Sequence, residues 1–182
     1  MAKIKEKDFI ELDFTGKVKE TGEIFDTTLK EIAQKNDLDQ KADYKPVIVC
    51  IGKGTIFEKL EKELIGKELG KEYTISLKPE EAFGKKNAKL IQLMPTSTFK
   101  KENIKPKVGL YVTVNDRIGI IRTVNGGRCL VDFNHPLSGK ELVYKIKPLK
   151  KITDKKKQVE QIIKTQLRVD DFKLKEKEGK IT

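Results

Sequence analysis

Apolar and polar side chains alternate through residues 8 to 18, with Ile10, Leu12 and Phe14 on one side and Glu11, Asp13 and Thr15 on the other. A period of two over that length predicts a strand with one buried face. The polar run Lys19 to Glu23 is a turn, and Ile24-Phe25 opens the partner strand. From about Thr27 to Asp43 the chain is polar, with weak helical spacing at Leu29, Ile32 and Ala33, and reads as a bulge in the sheet edge. Pro46 to Gly52 is a buried strand. Thr55 and Glu58 have capping-box spacing, Phe57, Leu60 and Leu64 follow on one helical face, and Gly66 ends the helix. Tyr73, Ile75 and Leu77 alternate with Thr74 and Ser76 as a further strand. This is an α+β layout, a sheet with one short helix packed across it.

After Gly84 the pattern changes. Leu90 to Pro95, Leu110 to Val114, Ile118 to Val124 and Arg128 to Asp132 read as four short strands, with one helical turn between Thr96 and Asn103 and a tight hairpin turn at Asn125-Gly126-Gly127. They hold enough apolar residues for a small core of their own. Leu142 to Lys147 alternates again and returns the chain to the first sheet. The expected organisation is one domain from residues 1–85 and 133–152, with a small mostly-β domain, 86–132, inserted in it. Residues 154 to 167 have the spacing of an amphipathic helix, with Asp154 as N-cap and Val159, Ile162, Ile163 and Leu167 along one face. Phe172 and Leu174 then alternate with lysines, Glu178-Gly179-Lys180 is a turn, and Ile181-Thr182 begins a strand. Residues 153–182 therefore read as a helical extension that starts a C-terminal domain, cut short.

Charge changes this picture little. Lys and Arg total 39 against 28 acids, a net charge of +11, which raises nucleic acid as a partner. The positive charges are spread along the whole chain, with no arginine cluster and no interleaved aromatics, so they read as a solvated surface. Lys and Glu recurring together is a thermophilic signature. Cys50 and Cys129 sit inside apolar runs without CxxC spacing and read as small buried hydrophobes. With no apolar h-region near Met1 and no run long enough to span a bilayer, a cytoplasmic protein without a membrane partner is expected.

Conventional catalytic motifs are absent. His135 is the single histidine and has no second His or vicinal Cys near it in sequence, so it reads as a turn residue with a local hydrogen bond. Gly52-Lys53-Gly54 is a strand-to-helix turn, not a phosphate loop. No metal and no cofactor are expected.

Three stretches together are more specific: Gly22-Glu23-Ile24-Phe25-Asp26-Thr27, Pro79-Glu80-Glu81-Ala82-Phe83-Gly84, and Val131 to Leu142 with Asn134-His135-Pro136-Leu137-Ser138-Gly139 at its centre. They resemble the FKBP family of peptidyl-prolyl cis-trans isomerases. The long stretch between Gly84 and Asn134 resembles the SlyD-like and archaeal branch, which carries an insert-in-flap domain. The resemblance covers about residues 8 to 86 and 132 to 149. It implies an antiparallel sheet wrapped on one short helix, a flap insert that holds unfolded chains, and a tail similar to the start of the long-type archaeal C-terminal domain, through which a homodimer is expected.

Prolyl isomerisation needs none of the missing motifs. Its barrier is amide resonance, roughly 18–20 kcal/mol. An apolar, water-poor cavity shaped for the twisted amide lowers that barrier by differential binding, and a ~10⁴-fold acceleration asks for only about 5.4 kcal/mol. By position, the resemblance implies that Phe25, Asp26, Ile56, Phe83 and Tyr144 form the catalytic pocket, with Phe14, Val47, Phe57 and Leu60 as substrate-binding walls. Ile56 supplies the backbone amide used in ligand hydrogen bonding, and Asp26 sets a carboxylate at the pocket edge. On the residues alone, Val47, Ile56 and Leu60 fit a core as well as a pocket, and an Asp before two threonines also caps a turn. Leu60 stands where many family members have Trp, which this chain lacks, and Phe14 and Phe83 lack hydroxyls common in the family's pocket, which weakens the grip on macrolides. In the insert, Ile91, Leu93, Met94, Phe99, Leu110 and Ile120 are candidate contacts for unfolded, proline-containing polypeptides, or core. The alternative is a non-catalytic peptide-binding chaperone module.

Overall fold

The computed structural model of the protein describes residues 3–100 and 103–167, together with residues 172, 174, 176, 177, 180 and 181. In chain order the elements are β1 (Phe9–Val18), β2 (Ile24–Thr27), α1 (Lys30–Lys35), β3 (Val47–Cys50), α2 (Glu58–Leu64), β4 (Tyr73–Leu77), β5 (Ile91–Pro95), α3 (Thr96–Lys100), β6 (Tyr111–Val114), β7 (Arg117–Asn125), β8 (Arg128–Asp132), β9 (Leu142–Lys151) and α4 (Lys155–Ile162). The two-residue strands β10 (Glu176–Lys177) and β11 (Lys180–Ile181) pair antiparallel. Two compact units are present, one holding residues up to Ala82 and from Lys140 onward, the other Phe83–Gly139.

The first unit is an antiparallel sheet in the order β2-β1-β9-β4, with β3 also pairing β1. β1 is long enough to take two partners on one edge: Phe9 to Leu12 pair with β3, and Thr15 to Lys17 with β2. On its other edge Leu12 stands opposite Pro148 while Glu11 stands opposite Lys150, so Leu149 is an extra residue where proline offers no N–H. Ile10, Leu12, Ile75, Leu77, Leu142 and Ile146 from the strands are buried, as are Leu60 and Leu64 from α2. Each such side chain contributes roughly 1.5–3 kcal/mol of burial.

Two local expectations fail for identifiable reasons. The Thr55–Glu58 capping box does not form: α2 starts at Glu58 behind Phe57, without a side-chain cap. The Thr55 hydroxyl instead accepts from the Cys50 N–H and donates to its carbonyl, at 3.2 and 3.1 Å, and Glu58 pairs with Lys62. In the tail, Asp154 does cap α4, accepting from the N–H groups of Lys156 and Lys157. The helix stops at Ile162, however, and Ile163–Leu167 is a π-turn, where the Thr165 hydroxyl donates to the Gln161 carbonyl. The wider turn rotates Ile163 and Leu167 off the Val159–Ile162 line, and Ile162 and Leu167 are 38% and 66% exposed. The stripe read at helical spacing is therefore not a buried one. The predicted turn at Glu178-Gly179 lies outside the described residues. An open cavity of about 520 Å³ between β3, the loop after it and α4 is lined by Phe9, Cys50, Thr55 and Ile162, which leaves Cys50 half-buried; Cys129 is fully buried. No helix among the described residues is long and apolar enough to cross a membrane.

The second unit is a four-stranded antiparallel sheet in the order β5-β8-β7-β6. Phe99, Val112, Ile121, Cys129 and Val131 form its core, with Met94, Ile104, Val114 and Phe133 packed at the margin. Gly119 on β7 is required by that packing, since a Cβ there would lie 2.7 Å from Phe133 Cδ1 and Val131 Cγ1. Gly126 and Gly127, at φ +53° and +75°, make the two-residue β7–β8 turn that only such residues accept readily. The buried Asp132 accepts from Asn134 and meets Lys86 and Arg122. Burial alone would raise its carboxyl, but these donors and the Lys86 charge hold it below the ordinary value. The unit is wider than the 86–132 segment, because its two ends are joined: the Gly139 N–H donates to the Gly84 carbonyl at 2.8 Å, and the Ser138 hydroxyl to the Phe83 carbonyl at 3.0 Å.

Candidate active site

Gly16 sits at the centre of the first unit's aromatic cluster. On β1 it stands opposite Asp26 of β2 on one side and Tyr144 of β9 on the other, so three residues far apart in sequence lie in one row. Phe25 is the extra residue of a bulge between the Gly16–Asp26 and Lys17–Ile24 pairs. A bulge breaks the strict alternation of a strand and re-aims the side chain it carries. The rings of Phe14, Phe25 and Phe57 all meet Tyr144, at centroid distances of 6.0, 5.8 and 6.1 Å, the last two edge-to-face. A Cβ on Gly16 would lie 2.7 Å from Phe25 Cζ and 3.0 Å from Tyr144 Cε1. The bare glycine is what lets the two rings approach.

Two threonines fasten this corner. Thr28 accepts the Phe14 N–H at 2.9 Å and donates to Asp13, while Thr27 donates to the Phe14 carbonyl and meets Thr15 at 2.8 Å. The turn beyond them is served by Thr27, whose hydroxyl accepts from the Leu29 N–H. The Asp26 carboxyl accepts the adjacent Thr27 N–H, yet its pKa lies above the ordinary 3.8, because partial burial disfavours the charge more than that bond restores it. Tyr144 is only 6% exposed; burial first, and then the Asp26 charge, push its phenol far above the usual range. The site thus pairs apolar rings with a carboxylate that is costly to ionise.

Ile56 and Phe57 enter through the loop that precedes α2, and that loop is organised by one buried carboxylate. Glu61 accepts the N–H groups of Gly52, Gly54, Thr55 and Ile56 at 2.9, 3.2, 2.8 and 3.3 Å. Such charge-assisted bonds contribute about 1.5–3 kcal/mol each. The Ile56 amide, assigned to ligand bonding by resemblance, is therefore also in reach of Glu61, at the longest of the four distances. Leu60, placed among the walls, is 2% exposed and belongs to the core. Val47 is half-buried opposite Leu12 on β1. Phe83 opens the second unit, where its ring stacks on His135.

In the second unit Phe99 is core at 2% exposure rather than a contact surface, because α3 turns it inward. Ile91, Met94 and Ile120 are half-buried, whereas Leu93 and Leu110 are exposed. Exposed Val108, Tyr111 and Ile118 were missed by sequence reasoning. Gly16 and Glu61 were also missed: a glycine in a strand and a glutamate in a helix carry no local signal, although Gly inside an alternating strand does hint at a close approach. Among the described residues no group of His, Cys, Asp or Glu is arranged to hold a metal.

Gly16→Ala is expected to lower kcat/KM toward a proline peptide by about tenfold, ~1.4 kcal/mol, with the melting temperature little changed. The added methyl must displace the Phe25 ring while stiffening the unfolded chain. Unchanged kinetics on a peptide substrate would remove Phe25 from the site.

Comparison with known proteins points to one family. The FKBP-type peptidyl-prolyl cis-trans isomerase model matches residues 1–102, and the FKBP26, IF domain model matches residues 92–137. A short-type peptidyl-prolyl cis-trans isomerase of Methanocaldococcus jannaschii is 32% identical over 145 residues, covering 79% of this chain and 91% of that protein. The FKBP-type 16 kDa isomerase of Escherichia coli is 34% identical over 110 residues, 58% of this chain and 73% of the relative. SlyD of Helicobacter pylori is 27% identical over 124 residues, 66% and 67% of the two chains. A family model spanning more than half of the 182 residues, and an archaeal relative matched along nearly its whole length, show that the chain belongs to the FKBP-type peptidyl-prolyl cis-trans isomerases.

Proposed function

We propose that the aromatic corner of the first unit is the isomerisation site, and that the second unit is a flap insert that holds unfolded, proline-containing chains. The observation that carries the first part is the set of three phenylalanine rings around Tyr144 with the Asp26 carboxyl beside it. A proline ring entering such a corner loses water and meets apolar walls. The planar amide is more polar than the twisted one, so the low-polarity site favours the transition state over the ground state. Ile56 offers its amide and Asp26 its charge. The holding role is supported by Leu93, Leu110, Tyr111 and Ile118, large apolar side chains that a small sheet leaves in solvent.

A protease-free isomerisation assay on a proline tetrapeptide, followed by NMR exchange, tests the assignment. The wild type accelerates exchange, and Phe25→Ala slows it by at least about tenfold with the fold intact. Full activity in the Phe25 variant would place the reaction elsewhere.

A further inference from the structure

We propose that the second unit holds chains on the open face of its own sheet and selects apolar segments flanked by Asp or Glu; this rests on the reading of that unit as a holder of unfolded chains. Strand pairing puts one apolar surface across all four strands. Cys129 and Val131 turn into the core, so Leu130 between them turns to the opposite face. Leu93 of β5 stands beside Leu130, and the Ile120–Tyr111 pair crosses β7 and β6 in the next row, with Ile118 two residues along β7. Leu93, Tyr111 and Ile118 are exposed, and Leu130 and Ile120 are half-buried. Single apolar side chains on a surface are ordinary, but a row of them on one sheet face marks an apolar partner.

The charge around this face is one-sided. Residues 83–139 hold seven lysines and three of the chain's four arginines against three acids, a net +7 of the whole chain's +11. Positive charge that reads as spread along the sequence is therefore concentrated by unit. Arg128 shares the face with Leu130 and stands opposite Pro95. Arg122 is the extra residue of the bulge between the Ile121–Val131 and Thr123–Leu130 pairs, and its guanidinium reaches Asp132 on this face at 3.3 Å. Lys86 meets the same carboxylate oxygen at 3.4 Å. One buried carboxylate thus stands against two cations whose side chains are about half exposed. The other acid among the unit's described residues, Asp116, sits in the β6–β7 turn. Each exposed cation alone contributes little to binding. Several beside a low-dielectric apolar surface add their fields, speed the arrival of opposite charge and repel segments rich in Lys or Arg. Nucleic acid fits the face less well, because base stacking needs aromatic platforms and Tyr111 is the unit's one exposed aromatic among the described residues.

The full-length protein and three proline-free peptides test this. The peptides share an apolar centre with one Trp and are flanked by Asp and Glu, by Ser and Gln, or by Lys. The chain has no Trp, so peptide fluorescence reports binding. At ~50 mM salt the acid-flanked peptide is expected to bind about tenfold more tightly than the neutral one and the lysine-flanked peptide more weakly than either, and ~300 mM salt narrows the gap. Arg128→Gln breaks no ion pair seen among the described residues, and Arg122→Gln leaves Asp132 with Lys86 and Asn134. Each is expected to cut the preference about threefold, and together they bring the acid-flanked peptide to the neutral peptide's level. Equal affinity of all three peptides at low salt would overturn the selection by charge while leaving the holding role in place. Binding of none of them would remove the holding role, and the proposal with it. An acid-flanked peptide with serines at its centre that binds as well would show a charge contact without the apolar face, and a preference that survives both substitutions would put the site elsewhere; either result overturns the proposal. So would a single-stranded RNA that binds more tightly than the acid-flanked peptide and displaces it, with the steep salt dependence of phosphate contacts.

Discussion

Replacing residues 86–132 by a short flexible linker is expected to leave peptide isomerisation nearly unchanged and to slow proline-limited refolding of an unfolded protein by roughly 10²-fold. The first unit has its own buried core on β1, β4, β9 and α2, and none of the residues in its aromatic corner lies in the excised segment. The excision is also local at its ends. Phe83 and His135 stay, and the Gly139 N–H to Gly84 carbonyl bond, at 2.8 Å, shows that the chain already passes itself there. A tetrapeptide is too short to use a second site. An unfolded chain is not: one weak apolar contact with the insert turns proline capture into an intramolecular event, raising effective concentration without any new chemistry. Refolding of a reduced, carboxymethylated test protein with one slow prolyl bond reads the difference. Equal loss on both substrates would show that the insert serves the reaction itself, and equal retention would remove its holding role. The melting curve of the shortened protein must still be cooperative for either comparison to count.

The strands were legible because their burial is periodic. Ile10 and Leu12 needed only alternation, which breaks beyond them where Thr15 is buried and Phe14 half-buried, and the order of turns and strands after Gly84 was enough to separate a second core. What alternation could not carry is register. Phe25 and Asp26 are consecutive, and by strand geometry alone they face opposite ways. Only the bulge opposite Gly16 and Lys17 places the Phe25 ring against Tyr144. A bulge arises from pairing between strands, which a local pattern does not encode. The Thr55–Glu58 spacing failed through competition. Both residues had capping chemistry, but Glu61, one turn further along, is buried and satisfies Gly52, Gly54, Thr55 and Ile56 together. A tertiary acceptor for four amides outweighs a surface capping box of about 1 kcal/mol. Phe99 and Leu93 show the same limit. Both are large and apolar, and which of them is covered depends on the face of the sheet that α3 occupies.

Asp26→Asn is expected to lower kcat/KM by roughly tenfold or more while raising the melting temperature at neutral pH. The activity loss follows from how charge moves in the reaction. Resonance puts partial negative charge on the oxygen of a planar amide, and twisting the bond withdraws it. A carboxylate near that oxygen opposes the planar form more than the twisted one, and partial removal from water strengthens the effect. The stability gain follows from the same burial. Partial desolvation raises the folded-state pKa above the ordinary 3.8, so the folded protein binds more protons than the unfolded chain in the window just above that value. Stability from this group is complete below the unfolded pKa and is lost as pH rises through the folded one. At pH 7 the cost is fully present, and Asn does not carry it. Two measurements together decide the matter. The pH profile of kcat/KM in the wild type should show an acid limb displaced above 3.8 that is missing in Asp26→Asn. Melting temperatures of the two proteins should converge as pH falls below that limb. An Asn variant that is fully active with the same profile would remove the carboxylate from the reaction. One that is less stable at pH 7 would mean that the charge serves as an acceptor for the Thr27 amide, and that the site's electrostatics lie elsewhere.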